Sequence, residues 1–251
     1  MVRRTQQIVE EQVLRWQMER RDRKVQKPPK RAPPHVIVIS NAYGSNANPI
    51  GEAIGNITGF KVYDREIVYH IATHAKVRLE TVETLDQRAQ SWIDDFLTGL
   101  FREKGFYQDQ YAQELTRTIV SLWHHGPCVM IGHGCCHVVP RSHSLAVRTT
   151  ASESRRAMRI QNLEKLTTLE QARKRLERTD AEREAFIRKF FTVHIDDPLA
   201  YDMILNTDRF DTRQAAQAIV DVFMKRFPEE VKPAPENGWS REGPEPSQWR
   251  L

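Results

Sequence analysis

The 251-residue sequence contains three cysteines, two of them adjacent, and no apolar run approaching the roughly 18 residues that a membrane-spanning helix needs. Three cysteines do not make the disulfide framework of a small secreted protein. The first residues, MVRRTQQIVEEQ, lack the apolar stretch of a signal peptide, so we expect a cytoplasmic location and no membrane contact. The length suits one well-buried domain with extensions.

The positive charge is confined to the N-terminal segment. Residues 1–31 carry ten basic and four acidic side chains, a net charge of +6 that leaves −1 for the rest of the chain. Such a segment can contact nucleic acid, but its only aromatic side chain is Trp16, so nucleic acid is the weaker interpretation. A solvated helix face is the favoured one.

Four regions follow from composition and periodicity. Residues 1–26 are a basic amphipathic segment, with a helix over 5–25 whose apolar stripe includes Val9, Val13 and Trp16. This stripe could pack on the same chain, on a protein partner or on a second copy. Residues 27–34 form a proline-rich linker, 35–228 the core, and 229–251 a proline-rich polar tail that we predict to be disordered.

The core alternates short apolar strands with helices. A helix is predicted over 108–125, three charged helical segments between 152 and 191, and a helix over 212–227. The predicted strands are 36–39, 60–63, 128–131, 144–149 and 202–206. This alternation indicates an α/β fold in which a mostly parallel sheet is flanked by helices. In such a sheet, ligands bind at the carboxyl ends of the strands.

A glycine-containing loop follows the first strand. Gly44 permits a positive φ or the close approach of a ligand, and Asn48 is predicted to cap a helix that begins at Pro49. A loop of this kind before a helix N-terminus binds phosphate in P-loop kinases. However, it contains no lysine, and Pro49 has no N–H to donate. The loop alone leaves open both a phosphate site and an ordinary strand–helix turn.

Two further segments carry reactive or charged side chains. After the third strand, GHGCCH brings His133 close to adjacent cysteines, which chelate one metal ion poorly and have no second ligand pair. A Cys–His nucleophile lacks an orienting group, so ligand contact at the strand end is the favoured role. The arginines between 152 and 191 either clamp a transferring phosphoryl group or form ion pairs on solvent-facing helices.

Five blocks, taken together and in order, resemble the cytidylate kinase-like family, relatives of the P-loop nucleoside-monophosphate kinases. They are SNAYGSNAN (40–48), VYDRE (62–66), GPCVMIGHG (126–134), DAER with FIR (180–188) and DPLAYDMILNT (197–207). The resemblance extends over about 35–228. It implies a three-layer P-loop kinase-like fold with a helical lid, and phosphoryl transfer from ATP with Mg²⁺ to a nucleoside monophosphate such as CMP.

The resemblance also implies roles for individual residues. Arg183 and Arg188 on the lid would act on the transferring group, Asp64 and His133 would meet the acceptor, and Ser45 could contact Mg²⁺. The donor phosphates would be bound by the loop residues Gly44, Ser45, Asn46, Ala47 and Asn48.

Two departures from the family pattern affect chemistry. The family's loop has two glycines and an arginine where this chain has Asn46, Ala47 and Asn48; the loop lysine of related cytidylate kinases, which the family itself lacks, aligns with Ala47. The strand-end arginine is His133, which would bind a phosphate only when protonated. The sequence therefore favours a nucleoside-monophosphate kinase. The alternative is a catalytically dead pseudokinase that binds a nucleotide or a partner.

Overall fold

The computed structural model describes residues 2–23, 33–85, 87–104 and 109–230. Its centre is a five-stranded parallel sheet in the order β2-β3-β1-β4-β5. The strands are β1 (Val36–Asn41), β2 (Lys61–Tyr63), β3 (Cys128–Ile131), β4 (Ser144–Thr150) and β5 (Met203–Asn206). The predicted parallel sheet is confirmed, and β3 has the predicted bounds.

The helices cover both faces of this sheet. They are α1 (Val2–Arg23), α2 (Ala47–Thr58), α3 (Arg65–Thr73), α4 (Ala75–Glu83), α5 (Gln87–Lys104), α6 (Gln110–His124), α7 (Cys135–Val138), α8 (Glu153–Glu164), α9 (Leu169–Phe191) and α10 (Thr212–Arg226). Side chains alternate along β1, so Ile37 and Ile39 pack with α2 and α10, whereas Val36 and Val38 join the core formed with α3, α5 and α6. Three layers result, as the sequence predicts.

The apolar stripe of α1 packs on its own chain. Val9, Val13 and Trp16 are buried in the same core as α3, and the Trp16 ring stacks on His125 with centroids 3.8 Å apart. Of the three possibilities for this stripe, the structure shows packing on the same chain. A protein partner or self-association through α1 stays a prediction. In the described parts of the chain, no helix combines the length and the apolar character needed to span a bilayer.

Helices α8 and α9 form a hairpin. The sequence predicts three charged helical segments in this region, whereas the structure has two. Lys165 ends α8 in a left-handed conformation, and Thr168 starts α9 with a capping box that involves Gln171. The 23 residues of α9 contain neither glycine nor proline, which explains why the helix continues without a break. The hairpin has a small core of its own around Ile160 and Leu176.

The region boundaries are described only in part. Residues 24–32, which include 27–32 of the predicted linker, and residues 231–251 of the predicted tail lie outside the described residues. Glu230, which we assigned to the tail, is attached to the core, since its carboxylate accepts a hydrogen bond from the His35 backbone N–H at 3.0 Å. The ordered domain therefore continues at least to this residue.

Candidate functional site

A cleft opens at the carboxyl ends of β1 and β3. Its cavity volume is about 160 Å³, and its mouth is open to solvent. The end of β1, the start of α3, the β3–α7 loop and one side of α9 line it. Residues of these elements at the cleft include Ser40, Arg65, Gly132, His133, Arg183 and Phe186.

The β3–α7 loop has an unusual backbone. Gly132, His133 and Gly134 all have positive φ, at 82°, 52° and 72°. A Cβ atom at Gly134 would lie 2.3 Å from the Phe191 ring of α9, so this position needs glycine for space as well as for conformation. The loop thereby closes tightly on α9 and holds the His133 ring at the cleft.

His133 is a neutral side chain in this environment. Its ring is only 8% exposed, and Nε2 lies 2.9 Å from the carbonyl oxygen of Arg65. Burial lowers the pKa of His133 to about 4. The hydrogen bond to the Arg65 carbonyl opposes this shift, and the positive charges of Arg65 and Arg183 add to it. In this neutral form His133 carries no positive charge with which to bind a phosphate.

Arg183 connects the cleft to the β1–α2 loop. Its Nη1 donates to the carbonyl oxygen of Asn41 at 2.9 Å, and its guanidinium carbon lies 5.0 Å from the centroid of the Tyr43 ring. Burial lowers the pKa of Arg183 to about 10, and the charge of Arg65 adds to the effect. Its Nε is buried and has no hydrogen-bond partner among the described residues. The positive charge of Arg183 thus lies at the cleft.

Two predicted site residues do not reach the cleft. Asp64 is the N-cap of α3, where its carboxylate accepts a hydrogen bond from the Ile67 N–H at 2.9 Å. Arg188 is 63% exposed and pairs with Glu184 one turn away on α9, at 2.5 Å. The side chain that lines the cleft in this region is Arg65, next to Asp64 in the same VYDRE block, and the sequence analysis missed it.

The β1–α2 loop has the predicted glycine but different helix capping. Gly44 has a φ of 80°, and a Cβ there would lie 2.9 Å from the carbonyl oxygen of Arg156 on α8. Helix α2 begins at Ala47, with Asn46 as the N-cap residue in a left-handed conformation, so the predicted start at Pro49 with an Asn48 cap is wrong. The Asn46 side chain donates to the Thr212 hydroxyl at 2.8 Å.

The α8–α9 hairpin lies directly on this loop. Arg156 and Arg159 donate to the carbonyl oxygens of Tyr43 and Gly44 at 3.3 and 3.2 Å. Asp180 accepts a hydrogen bond from the Tyr43 N–H at 2.9 Å and also pairs with Arg156. The loop carbonyl groups of Tyr43 and Gly44 therefore accept hydrogen bonds from arginines. The Tyr43 N–H is already bound to the carboxylate of Asp180.

The residues present do not build a Mg²⁺ site. The Ser45 side chain is fully buried, with its hydroxyl 3.0 Å from the carbonyl oxygen of Thr149 and 2.7 Å from that residue's Oγ1. In this structure the hydroxyl is not available to a metal ion. The described residues also contain no group of three or more histidine, cysteine, aspartate or glutamate side chains arranged to bind one.

The cysteines of the β3–α7 segment are structural in this fold. Cys135 and Cys136 are both buried, and the Cys135 thiol lies 3.5 Å from the carbonyl oxygen of Met130. Burial raises the pKa of the Cys135 thiol well above its ordinary value, which keeps it protonated. A nucleophilic role for this segment therefore gains no support.

The sheet order, the loop between the first strand and helix, and the cleft at the strand ends define an α/β protein with a P-loop kinase-like fold. The chain belongs to the cytidylate kinase-like family, whose model matches residues 36–209, well over half of the sequence. This match confirms the resemblance found in the five sequence blocks.

The fold is similar to that of a solved structure. An uncharacterized protein from Eubacterium ventriosum shares 14% identity with a TM-score of 0.60, covering 76% of this chain and 98% of that one. Shikimate kinase from Acinetobacter baumannii has 12% identity and a TM-score of 0.42, covering 77% and 95%. Dephospho-CoA kinase from Campylobacter jejuni has 15% identity and a TM-score of 0.30, covering 78% and 98%. A search of curated protein sequences gives no match.

Proposed function

We propose that this protein transfers a phosphoryl group from ATP to a small anionic acceptor of the nucleoside-monophosphate class, with CMP as the first candidate. The observation that carries the proposal is the pair of guanidinium groups, Arg65 and Arg183, that line one cleft at the carboxyl ends of β1 and β3. Guanidinium groups bind phosphate oxygens in pairs of hydrogen bonds and stay charged at neutral pH.

The location of Arg183 supports this proposal. It lines the cleft, where the acceptor would bind, donates to the carbonyl oxygen of Asn41 at the end of β1, and lies over the Tyr43 ring in the β1–α2 loop. Charge develops on the oxygens of the transferring group, and a cation between donor and acceptor stabilises it.

The donor side requires the hairpin to move. In this structure the α8–α9 hairpin lies on the β1–α2 loop, and Arg156 and Arg159 donate to the carbonyl groups of that loop. If the hairpin opens to admit ATP, these two arginines leave the loop and can supply the positive charge that Ala47, in place of a lysine, does not. We therefore place the donor phosphates between the loop and the opened hairpin.

A second candidate is a pseudokinase that binds a nucleotide in the cleft without turnover. The same hairpin contacts favour it, because the loop N–H of Tyr43 is already bound to Asp180 and the loop has no lysine. It predicts acceptor binding with no ADP formed. The nucleoside-monophosphate kinase explains the position of Arg183 beside the loop, which a binding module would not need.

The test is ADP release from ATP and Mg²⁺ with CMP, dCMP, UMP, AMP or GMP supplied one at a time. We expect one acceptor to support turnover, and Arg183→Ala to reduce kcat at least 100-fold, as loss of a transition-state cation does. Arg188→Ala is the matched control, since this exposed side chain on the same helix does not line the cleft. Equal loss in both variants, or no turnover with any acceptor in folded protein, contradicts the proposal.

A further inference from the structure

His133 is fixed in the cleft through one of its two ring nitrogens. Nε2 lies 2.9 Å from the Arg65 carbonyl oxygen. A carbonyl oxygen only accepts hydrogen bonds, so the hydrogen of this contact is on Nε2. Among the described residues none bonds to Nδ1, and Nδ1 is not sealed within the protein. In a neutral ring with its hydrogen on Nε2, Nδ1 carries a lone pair and acts as an acceptor.

The surroundings keep the ring in this form. Arg65 and Arg183 line the same cleft, so a proton on Nδ1 would create a third positive charge among them. Glu182 also lines the cleft, but it is exposed and pairs with Arg178. The hydrogen bond from Nε2 to the Arg65 carbonyl oxygen fixes the ring in this orientation. Nδ1 is consequently a fixed acceptor beside two cations.

We propose that His133 determines which acceptor the cleft takes: Nδ1 accepts a hydrogen bond from a hydroxyl or amino group of a ligand whose negatively charged group is bound by Arg65 and Arg183. The inference rests on the proposed function for its assignment of this cleft to the acceptor. It adds that the ligand group bound by His133 is an uncharged hydrogen-bond donor and not a phosphate.

The chemistry of the two groups explains this division. A lone pair repels an ionised phosphate, so the phosphate belongs with the guanidinium groups, while His133 faces the nucleoside portion. In a nucleoside monophosphate the donor is either a sugar hydroxyl or an amino group of the base. A ligand without a donor there leaves Nδ1 unpaired in a largely buried position, which lowers its affinity.

Matched ligands test the proposal by calorimetry. CMP is compared with UMP, which lacks the amino group of the base, and with 2′,3′-dideoxy-CMP, which lacks both sugar hydroxyls. We expect one analogue to bind wild-type protein at least 10-fold more weakly than CMP and to lose this difference in His133→Phe. The weaker analogue identifies the donor. Equal affinity of all three ligands, or no binding of any, overturns the proposal.

Histidine ¹⁵N NMR tests the same point without turnover and without relying on the variant's stability. We expect the His133 signals at pH 7 to show hydrogen on Nε2 only, and the Nδ1 signal to shift when CMP is added. His133→Phe, or His133→Gln if the former does not fold, assigns the signals. A protonated ring, or hydrogen on Nδ1, overturns the inference. If the protein turns over but binds all three ligands equally, the kinase proposal stands and the role of His133 is refuted. If the expected NMR shift and affinity difference are found without turnover, only the kinase proposal is refuted.

Discussion

The carboxylate of Asp180 on α9 accepts a hydrogen bond from the backbone N–H of Tyr43, 137 residues earlier in the chain, at 2.9 Å. Tyr43 lies in the β1–α2 loop, where relatives of this fold bind phosphate through backbone N–H groups. Asp180 thus places the protein's own negative charge on the loop. Together with Arg156, with which it pairs, it holds the hairpin closed.

Removal of this carboxylate should make the loop easier to occupy. In Asp180→Ala the Tyr43 N–H loses its partner and Arg156 loses its counter-ion, so we expect ATP to bind about 5- to 10-fold more tightly, which is roughly the net contribution of one ordinary hydrogen bond. Glu177→Ala, an exposed carboxylate one turn earlier on α9, is the control. Calorimetric titration with ATP measures both. Unchanged or weaker binding in Asp180→Ala means that the carboxylate does not compete with the nucleotide.

The contact between Gly44 and α8 predicts a stability effect. Gly44→Ala forces a side chain into a left-handed backbone and places its Cβ 2.9 Å from the Arg156 carbonyl oxygen. Gly59→Ala is the matched control, because Gly59 also has a positive φ, 74°, but open space around it. We expect a loss of about 1 kcal/mol at Gly59 and about 2–4 kcal/mol at Gly44 in urea unfolding. Equal losses would show that the loop does not contact α8 closely in solution.

The lowered pKa of His133 predicts weaker folding in acid. Its pKa falls from about 6.5 in the unfolded chain to about 4 in the folded protein. Between these values the unfolded state binds more protons, so stability rises with pH across that window and is lost as pH falls from 6.5 towards 4. The loss for this residue is at most about 3 kcal/mol.

Urea unfolding at pH 7 and pH 4.5 measures this loss. His133→Gln has no titrating ring, so we expect it to lose less stability than wild type over the same interval. If His133→Gln and wild type respond equally to acid, His133 is not held neutral by its surroundings.

The strands and the family were predictable from sequence because they depend on local pattern. β1 and β3 are short runs of buried aliphatic residues, and such runs between helices identify a parallel sheet directly. The five sequence blocks then identified the family, since their order reflects the order of elements in the fold.

The site was less predictable because hydrogen bonds within the protein determine which side chains face the cleft. Asp64 has the residue type of an N-cap, and capping α3 takes its carboxylate away from the cleft, leaving Arg65 to face it. Ser45 is turned into the sheet by Thr149, over 100 residues later in the chain. The hairpin contacts of Asp180 and Arg183 with the loop likewise join segments about 140 residues apart, which no spacing in the sequence reveals.

The central claim is that the protein moves a phosphoryl group from ATP to an acceptor in the cleft that contains Arg65 and Arg183. Its most direct test is ³¹P NMR of wild-type protein and Arg183→Ala with ATP, Mg²⁺ and CMP, or the acceptor found by ADP release. We predict that wild type produces ADP and the phosphorylated acceptor in equal amounts and that Arg183→Ala produces neither at a comparable rate. ATP that stays intact in the presence of folded wild-type protein, or ADP that appears with inorganic phosphate alone, would contradict the account.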